Sequence, residues 1–360
     1  MRPRVSRLVL HTERPAASVW PLIHDIAWKT LVAIIFLSFF PAVSTAAEET
    51  EGDVILVQGA AGSEAFGKQF TTWADRWQAA ASGAHWNVHR LGSTPPALET
   101  DRDHLKRLLK DLSSLPDAHA SDRKLWVVLV GHGTDDTRDA RFNLTGPDFT
   151  AEELAEWLSP IKTPIAVINC SSASGSFLKV LSKPGRVVVT ATRNGSELNF
   201  AHFGDAMSQA WTESRADRDK DGQVSLWEAF LRATAATEAF YSDDGRLATE
   251  HAQIDDDGDG TGLLGLTYLA KTDEEKLFRD GGLSRTWVLV PSATERKIPR
   301  ELRRQRDELE QKLLAVRRRR ADLFGAGKSE EQGNAAYLQE LEAILLPLAK
   351  LGNQIEVAIK

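Results

Sequence analysis

Short contiguous apolar runs alternate with longer amphipathic stretches through the first half of this chain. The run DVILVQ at 53–58 predicts a strand with both faces buried, ended by Gly59-Ala60-Ala61-Gly62. Residues 64–81 follow a helical period, with Phe66, Phe70, Trp73 and Trp77 on one face. A weaker strand is expected at 87–91. A charged amphipathic helix then covers 100–112, with Leu105, Leu108, Leu109 and Leu112 on one side. Further strands are predicted at 125–130, 165–168 and 186–190, and helices at 150–158 and 175–181. Thr150 and Glu153 have the spacing of a capping box at the start of the first of these helices. Strands that alternate with helices predict an α/β fold: a mainly parallel sheet with helices on both faces. Continuous apolar strands fit that class, because such strands are covered on both sides.

The pattern changes from Arg296 onwards. Leu302, Leu309, Val316 and Leu323 recur every seven residues; after Gly325-Ala326-Gly327 a second series runs Tyr337, Leu341, Ile344, Leu348, Leu351, Ile355. Two such helices around a glycine-containing loop predict a C-terminal α-helical hairpin over 296–360, able to support helix-mediated self-association. Pro347 is expected to bend or interrupt the second helix, and the Arg317–Arg320 run to form a solvated face.

At the other end, Arg2, Arg4, Arg7, Arg14 and Lys29 precede an apolar stretch at 31–43, and small residues follow at 44–47. These are the three parts of a secretory signal peptide, here 1–46, so the protein is expected to be exported, periplasmic or extracellular. An uncleaved segment would instead anchor it to the membrane. The body of the fold would occupy 47–290. The net charge of −7 argues against nucleic acid as a partner. With a single cysteine the chain forms no internal disulfide, so in an oxidising compartment that thiol is buried, paired between chains, or used.

The most specific motif is Asp217-Arg218-Asp219-Lys220-Asp221-Gly222-Gln223-Val224-Ser225-Leu226-Trp227-Glu228. It fits an EF-hand calcium loop. Asp217, Asp219 and Asp221 stand at positions 1, 3 and 5, Gly222 at the turn, Gln223 at 7, Ser225 at 9 and Glu228 at 12. Helix-compatible segments at 203–213 and 226–240 flank it. A second stretch, Asp255, Asp257, Asp259 and Gly260, matches only the first half of such a loop, because Leu266 falls at position 12 and cannot ligate.

Cys170 ends the apolar run at 165–168, and His132 ends the run at 125–130 inside Gly131-His132-Gly133. Neighbouring parallel strands bring such terminal residues to one edge, where open α/β sheets bind ligands. A thiol needs a nearby base to become a thiolate, and the imidazole can supply one. No G-x-S-x-G elbow follows a strand, which disfavours an α/β-hydrolase, and GAAGSE lacks the dinucleotide-binding glycine pattern.

These two strand ends, with Ser174-Gly175-Ser176 beyond the cysteine and VVVTATRNGSE at 187–197, resemble the legumain branch of the caspase-like (clan CD) cysteine peptidases over about residues 53–270. The resemblance implies a caspase-like sheet and endopeptidase activity on peptide or protein substrates. It implies His132 as general base and acid, Cys170 as nucleophile, and the amides of Gly133 and Cys170 as oxyanion hole. In that family an asparagine orients the histidine and an acidic residue stands two positions before the cysteine; here Ala61 and Ile168 hold those positions. Asparagine specificity is therefore not implied. Ala61 favours an alternative, a calcium-binding pseudopeptidase acting as a peptide-binding or scaffold protein. The calcium loop falls where the resemblance would place substrate-binding elements, so calcium is expected to order the wall of the cleft.

Overall fold

Seven strands form the central sheet, in the order β10-β9-β8-β7-β3-β1-β2. Five are mutually parallel: β1 (Gly52–Gln58), β2 (Asn87–Leu91), β3 (Lys124–Val130), β7 (Ile165–Asn169) and β8 (Arg186–Thr190). β9 (Gln253–Asp255) runs antiparallel to β8, and β10 (Leu263–Leu264) antiparallel to β9. A small antiparallel sheet of β4 (Gly133–Asp135), β5 (Ala140–Phe142) and β6 (Phe149–Thr150) leaves the end of β3. The computed structural model describes residues 50–92, 99–115, 123–136, 138–271, 280–318 and 330–360. The predicted leader at 1–46, Arg319, Arg320, Leu323 and the Gly325–Gly327 loop lie outside them.

Side chains of a strand alternate between faces, and two cores result. On one face Val54, Leu56, Trp126, Val128, Ile168 and Val189 pack under α1 (Glu64–Ser82), α5 (Phe203–Ala210) and α6 (Leu226–Asp243). On the other, Ile55, Val57, Val127, Leu129, Val167 and Val188 pack under α2 (Asp101–Ser113), α3 (Ala151–Leu158) and α4 (Gly175–Leu181). A short helix α7 (Gly265–Leu269) follows β10. The expected capping box of Thr150 and Glu153 is present. Ser63 caps α1 by accepting from the Phe66 amide, and Phe70, Trp73 and Trp77 form its buried face. The first core is aromatic: the Trp126 ring lies 5.0–6.3 Å from Trp77, Trp86, Trp211 and Trp287.

The hairpin consists of α8 (Arg300–Arg318) and α9 (Glu330–Ile359), with Val316 and Leu351 its most buried apolar residues. α9 is continuous through Pro347. The carbonyl that loses its partner there belongs to Ala343, an exposed residue, so water can take the place of the missing N–H. α8 is tied to the start of β1 by an ion pair from Arg303 to Glu51, and to the turn before it by one from Arg306 to Glu295. Residues 50–360 form one compact unit. Among the described residues no helix is long and apolar enough to cross a membrane.

Candidate active site and acidic loops

Strand register brings His132 and Cys170 to one corner. β3 and β7 are neighbours, with Leu129 opposite Asn169, and the Cys170 amide donates to the Leu129 carbonyl at 2.9 Å. Cys170 therefore follows β7 at the level of Val130. His132 stands two residues further on, and alternation points both side chains to the α1/α5 face. The histidine ring sits half-buried among aromatic edges: Phe66 at 5.0 Å, Phe70 at 5.1 Å and Phe200 at 5.9 Å. Burial lowers its pKa, partly opposed by a hydrogen bond to the backbone carbonyl of Ala61.

An alanine side chain cannot orient an imidazole, but the backbone carbonyl of Ala61, in the loop after β1, lies near enough to favour the protonated ring. Phe66 and Phe70, one turn apart on α1, hold the ring's other surfaces.

Cys170 is 1% exposed. α5 passes directly over it: a Cβ at Gly204 would lie 3.0 Å from the Cys170 Cβ and 2.7 Å from Trp73. Burial pushes the thiol far above its ordinary value, and the Glu250 carboxylate adds to the shift. The sulfur is thus protonated in this state, and no hydrogen bond joins it to His132 among the described residues. Glu250 is itself buried, accepting from the His202 and Phe203 amides at 2.7 and 3.0 Å and from the Tyr241 hydroxyl at 3.0 Å. It fixes the first turn of α5 as an anion at a helix N-terminus does.

The predicted oxyanion donor is engaged. The Gly133 amide points at Ser172 Oγ (3.4 Å), whose hydroxyl donates to the Gly133 carbonyl at 3.2 Å. A Cβ at residue 133 would lie 2.4 Å from the Ser172 carbonyl, so only glycine permits this approach. The loop after Cys170 is held from behind: the Ala173 amide donates to the Glu197 carbonyl, and the Glu197 carboxylate bonds the His251 ring at 2.6 Å. Sequence reasoning missed Glu197, Phe200, Glu250 and His251. Their signal was weak, since a lone acid or histidine between apolar residues has no motif.

The EF-hand-type loop lies at the opposite end of the sheet. The Leu226 amide donates to Trp287 O, and Ser225 bridges Val288. The same segment receives Lys124 Nζ, from the first residue of β3, on Thr286 O, and Trp86 Nε1, from just before β2, on Leu289 O. These are the N-terminal ends of the strands, whereas His132 and Cys170 follow the C-terminal ends. Calcium here cannot order the cleft wall directly, contrary to expectation.

The loop geometry itself suits a cation. Oxygens of Asp217, Asp219 and Asp221 all lie within 4.8 Å of one another. Asp217 accepts from the Lys220 and Gly222 amides at 2.7 and 3.2 Å, and Asp221 from the Gln223 amide at 2.9 Å. Glu228 reaches back to the Arg218 amide at 2.7 Å and forms a capping box with Ser225 at the start of α6. The Gln223 side chain accepts from the Ser292 amide at 3.3 Å and donates to the Asp221 carboxylate at 3.1 Å, which leaves its main-chain carbonyl for a cation. Burial, then the neighbouring Glu228, Asp221 and Asp217 charges, raises the Asp219 pKa; a cation would relieve that repulsion.

The second acidic loop repeats this scheme. Asp255 accepts from the Gly258 and Gly260 amides at 2.8 and 2.9 Å, and Asp257 from the Asp259 amide at 3.1 Å. The converging set is Asp255, Asp257 and Asp280, not Asp255, Asp257 and Asp259. Asp280 supplies from outside the loop the acid that Leu266 cannot. Its carboxyl is pushed up to about 8, by burial and then by the Asp256, Asp257 and Asp255 charges.

No family model matches the chain, and no curated protein matches it.

Proposed function

We propose that this protein is an exported cysteine endopeptidase of the legumain/caspase-like type, described here in a latent state, with calcium bound at the far end of its sheet. The observation that carries the reading is the corner itself. A histidine whose ring is held among Phe66 and Phe70 and a lone cysteine follow adjacent parallel strands and face the same side. The sheet order, with five parallel strands and an antiparallel edge, is compatible with a caspase-like fold.

The chemistry follows from these groups. With one ring nitrogen of His132 turned to the Ala61 carbonyl, the other would serve as proton acceptor. The Cys170 S–H proton passes to that nitrogen as sulfur bonds to the substrate carbonyl carbon. The carbonyl oxygen, now anionic, takes the Gly133 amide in place of Ser172 Oγ. His132 returns the proton to the departing amine as the C–N bond breaks. Water then cleaves the thioester, its proton passing through His132 back to sulfur. Before the first step α5 must shift from Cys170, because a thiol this buried meets no substrate.

Asp217, Asp219, Asp221 and Glu228, with the Gln223 carbonyl and Ser225, would hold calcium in the first loop; Asp255, Asp257 and Asp280 would hold a second ion. When bound, the ion neutralises repelling carboxylates and stiffens the start of α6.

The burial of Cys170 favours one alternative, a calcium-binding pseudopeptidase that presents the same corner to peptides without cleaving them. Labelling of Cys170 by peptide acyloxymethyl ketones carrying Asn, Asp, Arg or Lys, read by mass spectrometry, separates the two. Fast labelling that His132→Ala abolishes supports the peptidase. A thiol that reacts no faster than free cysteine and ignores His132 refutes it.

A further inference from the structure

The hairpin has one helix too few. α9 buries one side against α8 through Leu341, Ile344, Leu348, Leu351 and Ile355. Its opposite side also carries apolar residues: Leu346 is 54% exposed and Val357 74%. Large apolar residues left exposed on the side of a helix away from its packed face mark a second partner.

The exposed face is symmetric about Leu346, with the polar amides Gln339 and Asn353 seven residues before and seven after it. Glu342 stands four residues before it and Lys350 four after; Ala343 and Ala349 stand three before and three after; Ala335 and Val357 stand eleven before and eleven after. At 3.6 residues per turn these all fall within about 60° of the Leu346 direction. When two copies of α9 lie antiparallel about a two-fold axis at Leu346, each residue meets its mirror position on the other copy. Leu346 meets Leu346. Glu342 meets Lys350, twice. Ala343 meets Ala349, so small side chains flank the centre and let the backbones approach. Ala335 meets Val357. Glu342 and Lys350 make no ion pair within the chain among the described residues, so both charges are left for such a partner. A parallel pairing would set Glu342 against Glu342 and Lys350 against Lys350.

We propose that a second copy of this chain covers the face, through antiparallel α9–α9 contact centred on Leu346 and extending about 33 Å. The two hairpins together then form an antiparallel four-helix bundle that holds two α/β units. The inference stands apart from the peptidase reading and uses none of its residues.

The full chain, which has only the buried Cys170 as native thiol, suits disulfide trapping. Leu346→Cys should form a covalent dimer rapidly on mild oxidation. Ala335→Cys alone should not, but mixed with Val357→Cys it should give the heterodimer. Efficient Ala335→Cys self-crosslinking would mean parallel pairing and overturn the geometry. By light scattering the unmodified chain should be dimeric; Glu342→Lys should raise the dissociation constant roughly tenfold or more, and Glu342→Lys with Lys350→Glu should restore it. A chain that stays monomeric to about 100 µM and gives no Leu346→Cys dimer refutes the proposal. In that case, recovery of the chain on lipid vesicles would assign the face to a membrane, and its burial by residues 31–43 in cis would assign it to the chain's own apolar segment.

Discussion

Gly204→Ala tests whether α5 clamps the thiol. A Cβ at this position would lie 2.7 Å from Cε3 and Cζ3 of Trp73 and 3.0 Å from the Cys170 Cβ. Carbon pairs settle at about 3.5–4.0 Å, so either α5 or the Trp73 ring must move by roughly half an ångström or more. Trp73 is 2% exposed and packed against Phe70 at 5.6 Å, so the ring has little room. Overpacking of this kind costs about 1–3 kcal/mol. Replacing a helical glycine by alanine returns about 1 kcal/mol. The net expectation is a loss of about 0–2 kcal/mol, read as a urea midpoint no higher than the parent's at unchanged slope. The displacement lifts α5 from Cys170, so a small aromatic disulfide should titrate the thiol faster in the folded protein. Gly352→Ala is the control: no atom lies within 4 Å of its would-be Cβ, and it should stabilise α9 slightly. A Gly204→Ala protein with a midpoint above the parent's, and a thiol equally protected, would refute the clamp.

Ser172→Ala removes the hydroxyl engaging the Gly133 amide; since one neutral hydrogen bond is worth about 1 kcal/mol net, probe labelling of Cys170 should quicken roughly fivefold. No change would mean that the amide is not used. Asp217→Ala should abolish calcium binding at the first loop and Asp280→Asn at the second, so isothermal titration of each variant should lose one site of two; two retained sites in Asp280→Asn would remove Asp280 as a ligand. Asp53 is 5% exposed; burial raises its pKa, but hydrogen bonds from His89 and Arg123 outweigh that and set it below the ordinary value. A depressed acid stabilises the fold above its unfolded pKa, and this contribution is lost as pH falls through the folded value. Asp53→Asn should therefore lose about 1–3 kcal/mol at pH 7 and show a flatter fall in stability below pH 4. An unchanged acid limb would refute the role.

The parallel strands were legible because burial on both faces writes itself as an unbroken apolar run, as in VILV at 54–57 and WVVLV at 126–130. β4, β5, β6, β9 and β10 have two or three residues each, too few for any period, and their pairing is decided by what they lie against. His132 and Cys170 could be found because each ends a run. The burial of Cys170 could not, because it depends on Gly204, a packing contact with no local signature. Asp280 escaped for a related reason: spacing within a loop says nothing about a carboxylate brought in by another segment. Ala61 is the instructive case. Side-chain identity suggested the loss of an orienting group, but every residue carries a carbonyl, and backbone path alone decides where it points.

The two ends of the sheet are joined by α6, and this changes what calcium can do. Its first turn carries Glu228, whose carboxylate lies among the loop amides. About 18–20 Å further on, its last turns place Phe240 at 4.0 Å from the His202 ring and the Tyr241 hydroxyl on Glu250. His202 meets Phe200 edge to face at 5.0 Å, and Phe200 meets His132 edge to face at 5.9 Å. Glu250 in turn fixes the start of α5, the helix over Cys170. A cation at the first loop therefore touches neither catalytic candidate, yet it sets the position of the rod that both supports share. Such a path transmits only if α6 has two positions of similar energy. The Glu250 junction is where they would differ, since its carboxylate bonds the start of α5 and the Tyr241 hydroxyl of α6 at once. Glu250→Gln keeps the shape and weakens those bonds. If calcium acts through α6, it should accelerate thiol titration of Cys170 in the parent chain and leave the Glu250→Gln thiol unaffected. An equal calcium effect in both would mean that the rod is not the route.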